Sequence, residues 1–345
     1  MIKHIATLTP VHLFYATLGG TLGGFELRER CDQMDIVFHL GAHRNATTSF
    51  QACMRANRER LTRHGIIFWD PRLLRKGLFD GMNPPSGMPV APFVMRRVRG
   101  RVQLQLQSLQ DAGAAHLLIS EENMLGSVRA NIRSGELYPA AGERIARFAQ
   151  LFDGKIKRIV LSVRSLEQYW ASALAYGVWR GHALPNAYEI DQIADIRRTW
   201  RDVVKDIAAA VPGAEIIAIP FENMAGRPKD LLNIATGREV WIAGSDRWLN
   251  RAPDVLALNA VLEERGKRLD LPSEAGRWQP FDPVQIAAMR EAYVDDLAWL
   301  SDGAGGVATL QAFRSSAKDG ENPRGGVGTR GQYDDGEARY VAQAG

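Results

Sequence analysis

The chain has 345 residues, 46% of them apolar, enough for one large α/β domain with a substantial core. Lys and Arg number 43 against 39 Asp and Glu, so the net charge is only +4, too slight an excess to mark a nucleic-acid-binding surface. The two cysteines, Cys31 and Cys53, form no Cys-x-x-Cys pair or Cys/His cluster, so neither a disulfide framework nor a structural metal is indicated, and a reducing, cytoplasmic setting is expected.

Residues 1–33 read as an N-terminal extension ahead of the domain. Their mildly apolar run, 9–25, is diluted by Thr and Gly and lacks a small-residue cleavage site. No later run is apolar enough to span a bilayer, so no integral membrane segment is expected.

From there, strand-length apolar runs alternate with helical patterns. Strands are predicted at 35–40, 65–69, 116–120, 156–163 and 214–220, and four of these are dense in Ile, Val and Leu without alternation, as expected of strands buried on both faces. Helices are predicted at 47–64, 93–112, 140–152, 166–180, 187–210, 228–236, 253–269 and 283–300. The order implies one α/β domain over 34–300, a doubly wound, mostly parallel sheet with a P-loop-like phosphate loop between its first strand and first helix. Residues 72–92, with Asn83-Pro84-Pro85-Ser86-Gly87, read as a long surface loop of the kind that forms lids or substrate walls. Residues 301–345, rich in Gly, Ser, Asp and Arg, read as a disordered tail.

The first strand runs into Gly41-Ala42-His43-Arg44-Asn45-Ala46-Thr47-Thr48-Ser49, a strand-to-helix turn at the carboxyl edge of the sheet. Free N–H groups at a helix start, the positive dipole end, three hydroxyls and the planar fork of Arg44 together make an anion cradle. Set against G-x-x-x-x-G-K-[ST], the turn has Gly41, then Ala46, Thr47 and Thr48, and it lacks the lysine that neutralises a transferred phosphoryl group. That argues against hydrolysis of ATP or GTP. A second candidate anchor follows the fourth strand, where Arg164 at the strand edge and Ser172 two helical turns along fit either charged and hydroxyl donors for one anion or an ion pair of Arg164 with Glu167 or another carboxylate and a Ser172 that caps or packs.

The segment from His39 to Gln51 resembles the phosphosulfate-binding loop of bacterial sulfotransferases, with Arg44 in place of the usual Lys and Ala46 in place of the usual Gly. The stretch Val163-Arg164-Ser165-Leu166-Glu167-Gln168-Tyr169-Trp170-Ala171-Ser172 is similar to that family's 3′-phosphate-binding element. The resemblance implies a P-loop-like fold and transfer of a sulfuryl group from 3′-phosphoadenosine-5′-phosphosulfate, without a metal, to a hydroxyl- or amine-bearing acceptor such as a carbohydrate, lipid or small metabolite. It implies donor binding by Arg44, Asn45, Ala46, Thr47, Thr48, Ser49, Arg164 and Ser172.

A general base is needed near the loop. Candidates are His43, inside it, and Glu121, whose Ser120-Glu121-Glu122-Asn123 context is similar to a Ser-Glu segment of the family; Arg44 completes the catalytic set. Glu121 and Glu122 also fit a helix N-terminal pair, His39 fits a core histidine, and Glu222 fits a structural role beside the acceptor pocket. Arg96, Arg97, Arg99 and Arg101 fit either an acidic substrate or a solvated helix face. The competing functions are a non-catalytic nucleotide-binding protein of the same fold and a P-loop kinase. The sequence names no acceptor and no oligomeric state.

Overall fold

The computed structural model describes residues 34–84, 88–244, 248–266 and 276–311. The N-terminal extension, residues 1–33, and residues 312–345 of the tail lie outside the described residues.

In chain order the elements are β1 (Asp35–His39), α1 (Thr47–Ala56), α2 (Arg58–Arg63), β2 (Ile66–Trp69), α3 (Pro92–Asp111), β3 (His116–Ser120), α4 (Val128–Ser134), α5 (Ala141–Ala149), β4 (Ile156–Val163), α6 (Leu166–Trp179), α7 (Ala187–Ala194), α8 (Trp200–Ala210), β5 (Glu215–Pro220), α9 (Pro228–Thr236), α10 (Val255–Glu263), α11 (Pro283–Ser301) and β6 (Thr309–Leu310). The strands form one six-stranded sheet in the order β2-β3-β1-β4-β5-β6. Every pairing is parallel.

Apolar runs without alternation produce this sheet because both of its faces are covered. Along β1, Ile36 and Phe38 join one core, with Ile145 and Phe148 of α5, Val203 and Ile207 of α8 and Tyr169 and Leu174 of α6. Val37, between them, joins the other core, with Phe50 and Met54 of α1 and Leu231 and Leu232 of α9. The result is a doubly wound α/β domain, helices over both faces of a parallel sheet. Among the described residues no helix is long and apolar enough to cross a membrane.

The chain leaves β1 towards β2 on one side of the sheet, and leaves β4 towards β5 on the other. The carboxyl ends of β1 and β4 therefore splay their loops apart, which is where open α/β sheets form a crevice.

Four differences from the sequence-based boundaries have specific causes. The predicted helix 47–64 breaks at Asn57, whose amide donates to the carbonyls of Cys53 (2.8 Å) and Ala243 (2.9 Å) and accepts from the N–H of Ala243 (3.0 Å), so the kink is set by a distant segment. The predicted helix 187–210 is two helices, interrupted at Ile196 with φ 48°, and Thr199 opens α8 with a capping box to Asp202. The predicted loop 72–92 carries helical turns from Pro71 to Leu78, capped by Asp70, whose side chain accepts from the N–H of Leu73. The predicted tail contributes β6 before residue 312, where Ala218 of β5 pairs with Leu310 and Ala308 is buried.

Candidate functional site

The loop between β1 and α1 is wound tightly. Gly41, Ala42, Arg44 and Ala46 all have positive φ, at 65°, 43°, 65° and 57°. A Cβ on Gly41 would lie 2.6 Å from Thr47 Oγ1, so glycine is required there for space as well as for φ. The three non-glycine residues hold a conformation that costs about 1–2 kcal/mol each. Strain of this density persists only where surrounding bonds over-determine it.

Those bonds come from all sides. Thr47 Oγ1 donates to the carbonyls of Gly41 and Ala42, both at 3.0 Å. Asn45 Nδ2 donates to the Ser162 carbonyl of β4 at 2.7 Å, and Tyr138 Oη accepts the His43 N–H at 2.7 Å. The left-handed turns leave the N–H groups of Arg44, Asn45, Ala46, Thr47 and Thr48 with no acceptor among the described residues, and α1 has no side-chain cap at Ala46. Alternating turns of this type with a helix N-terminus behind them form a concavity for anions.

Arg44 and Arg164 converge beside it. Arg44 Nε donates to Ser172 Oγ at 3.1 Å, and its guanidinium lies over the Tyr176 ring at 4.6 Å. Arg164, 4% exposed, donates through Nη1 to the Arg44 carbonyl at 2.6 Å, while its guanidinium covers the Phe221 ring at 4.4 Å. Its Nε is buried without a partner. Neither guanidinium meets a carboxylate within ion-pair distance among the described residues. Burial pushes both down to about 10, and for Arg164 the like charges of Arg277 and Arg44 add to the effect; both stay charged at neutral pH. A buried cation, Arg164, and a half-buried one, Arg44, with no carboxylate at ion-pair distance are costly alone and suited to a bound anion.

These groups border a cavity of about 2150 Å³. Its wall includes His43, Arg44, Ala46, Thr47, Thr48, Arg164 and Ser172, and basic residues on it outnumber acidic ones more than twofold. The volume exceeds the roughly 300–1000 Å³ of an ordinary small-molecule site, leaving room for two reactants.

Several expected donors are committed elsewhere. Ser49 Oγ accepts the N–H of Leu249 at 2.8 Å and stays off the cavity wall, where it fastens the following segment to α1. The Thr47 hydroxyl and the Asn45 amide brace the loop rather than face the cavity. Thr48, on that wall, has no side-chain hydrogen bond among the described residues.

The residue expected as the base is enclosed. Glu121, 1% exposed, is clamped by Arg75, which donates from Nε to Oε2 at 2.9 Å and from Nη2 to Oε1 at 2.8 Å, and by the Asn123 N–H at 2.9 Å. It does not line the cavity, whereas Glu122 does. Glu122 accepts from Arg75 (2.9 Å) and Gln51 (2.9 Å). Burial acts to raise its pKa but is outweighed by the Arg75 guanidinium, so it is held below the usual carboxylate range. His43 is half-buried and desolvation shifts it below its ordinary value; Nδ1 pairs with Tyr138 Oη at 2.9 Å and Nε2 donates to Asn123 Oδ1 at 3.0 Å. Both of its ring nitrogens are engaged.

Arg99 pairs with Asp153 at 2.7 Å and Arg101 donates to the Asp80 carbonyl at 3.3 Å; like Arg96 and Arg97, they stay off the cavity wall. Glu222 is on the wall and accepts from the Ser165 N–H (3.1 Å) and Tyr293 Oη (2.9 Å), which holds the turn carrying Arg164. Sequence spacing missed Arg75, Tyr138 and Arg277, which join the site only through long-range packing. Among the described residues, no group of three His, Cys, Asp or Glu is placed to hold a metal ion.

Fold and site together define a doubly wound α/β protein with a cationic cavity at its topological switch point. No protein-family model, curated protein or solved structure matches the chain. A functional assignment therefore stands on the chemistry of the cavity.

Proposed function

We propose that this protein is a sulfotransferase that uses 3′-phosphoadenosine-5′-phosphosulfate as donor and a hydroxyl- or amine-bearing molecule as acceptor. The observation that carries the proposal is the meeting of Arg44, Arg164 and Ser172 beside an uncapped helix start, a half-buried and a buried cation with no carboxylate at ion-pair distance among the described residues. The donor fits that chemistry because it offers two separate anionic groups, and the buried Nε of Arg164 supplies a donor still in need of an acceptor. The loop's N–H groups and Arg44 would hold the 5′-phosphosulfate, and Arg164 with Ser172 the 3′-phosphate. The lack of a lysine after Ala46 disfavours the kinase alternative.

The donor supplies an activated sulfuryl group. The acceptor oxygen or nitrogen bonds to sulfur as the bond from sulfur to the 5′-phosphate oxygen breaks, releasing 3′,5′-adenosine bisphosphate, and the acceptor's proton passes to a base. Glu122, ionised and on the cavity wall, is better suited to take that proton than Glu121, which Arg75 encloses. Arg44 stays charged and stabilises the leaving phosphate.

Release of 3′,5′-adenosine bisphosphate across a panel of acceptors, read beside thermal stabilisation by that nucleotide, tests the proposal. Stabilisation with no release for any acceptor would instead support a non-catalytic nucleotide-binding protein.

A further inference from the structure

Resting on that donor assignment, we infer that the acceptor is itself anionic, carrying a carboxylate, sulfate or phosphate group beside its nucleophile, and that Arg144 reads that group. Arg144 lies on α5 and lines the cavity. Its Nη2 donates to the Asn83 side chain at 2.7 Å and to the Asn123 carbonyl at 2.5 Å, which sets it one residue from Glu122. Its Nε is buried without a partner, and no carboxylate lies within ion-pair distance of it among the described residues. Burial lowers its pKa from the ordinary value. A guanidinium so placed has donor capacity and charge that the fold itself does not satisfy.

This positive centre is separate from the donor cradle. Arg144 is bonded to Asn83 and the Asn123 carbonyl, whereas Arg44 bonds Ser172 and Arg164 bonds the Arg44 carbonyl. Arg129, exposed on α4 and also on the cavity wall, makes no hydrogen bond or ion pair among the described residues. The carboxylates nearby are largely committed: Glu143 to Arg147 at 2.8 Å, and Glu121 and Glu122 to Arg75; Asp80 is exposed at the rim. A neutral acceptor would leave this wall with charge and no counterpart, and an anionic one would be both drawn in and oriented.

Fluorescence anisotropy of a labelled oligoglucuronate and of its methyl ester against the full chain tests this without turnover. We expect the acid to bind about tenfold more tightly than the ester, the preference to fall to near unity in Arg144→Gln, and saturating 3′,5′-adenosine bisphosphate to leave it intact. Arg129→Gln, whose side chain supports no other group, should reduce the preference in a fold that is not in question. Equal binding of acid and ester overturns the inference. So does a preference that survives both variants but is lost in Arg164→Ala or on adding the nucleotide, because the acid would then be occupying the donor cradle. Failure of the nucleotide to bind strikes the donor assignment, and the acid-against-ester comparison still decides the second positive centre.

Discussion

Arg164 Nη1 donates to the main-chain carbonyl of Arg44 at 2.6 Å, so the cation at the end of β4 braces the loop that carries the cation at the end of β1. The two charges are consequently placed as a unit. Arg164→Ala removes the proposed 3′-phosphate ligand and also frees a strained loop, and it should weaken binding of 3′,5′-adenosine bisphosphate by about 2–5 kcal/mol in calorimetry, the scale for truncating one member of a buried charged pair. Affinity unchanged within twofold would show that Arg164 does not contact the nucleotide.

Arg44 has a different expected signature. Arg44→Lys keeps the charge but loses the Nε–H to Ser172 and the planar stack on Tyr176. The variant should keep nucleotide binding within about tenfold, whereas Arg44→Ala should lower kcat by about 10²–10³, as for loss of one group stabilising developing charge. Equal turnover in Arg44→Ala and the parent protein would remove Arg44 from the chemistry.

The strain in the loop can be tested at two positions of opposite sign. Gly41→Ala adds a Cβ 2.6 Å from Thr47 Oγ1 at φ 65°, and should lower unfolding stability by about 2–4 kcal/mol through overpacking and left-handed strain together. Ala46→Gly relieves φ 57° at the start of α1 and should raise stability by up to about 1 kcal/mol, with equal or tighter nucleotide binding. Denaturant midpoints measured at constant m-value would separate these outcomes.

What the sequence made legible follows from locality. The apolar runs of β1, β3, β4 and β5 announce themselves because both faces of each strand are covered, and Gly41 to Thr48 reads as an anion loop because a helix start needs only its neighbours to offer N–H groups. Partners brought together by the fold were not legible. Asn57 breaks a helix through Ala243, 186 residues away, and Arg75, in a stretch whose composition suggests only a loop, reaches Glu121 and Glu122 and decides which of them faces the cavity. Ser49 looked equivalent to Thr48 in sequence, yet its hydroxyl serves Leu249.

The two adjacent glutamates should respond differently to the same change. Glu121→Gln replaces a buried carboxylate that takes two bonds from Arg75 with a neutral amide, and should cost about 2–3 kcal/mol of stability, the scale for hydrogen bonds to charged groups. Glu122→Gln preserves an acceptor for Gln51 and leaves the Arg75–Glu121 pair intact, so the fold should hold while kcat falls by about 10²–10⁴. A variant at Glu122 with full turnover would transfer the search for the base to another group on the wall.

Acid should destabilise the domain through its desolvated histidines. His39, 1% exposed, pairs through Nδ1 with Ser120 Oγ at 2.8 Å, and burial lowers its pKa from 6.5 to about 4. A base with a depressed folded-state value is protonated in the unfolded chain first, so its stabilising contribution is full above pH 6.5 and is lost as the pH falls from there towards 4. Over that window His39 alone should remove about 3 kcal/mol, and His43, shifted in the same direction by burial, should steepen the fall. Thermal midpoints across this range should therefore drop in the parent protein and drop less steeply in His39→Asn, which keeps an acceptor for Ser120 without a titrating ring. An identical pH profile in the two proteins would show that protonation of His39 does not set the acid limit.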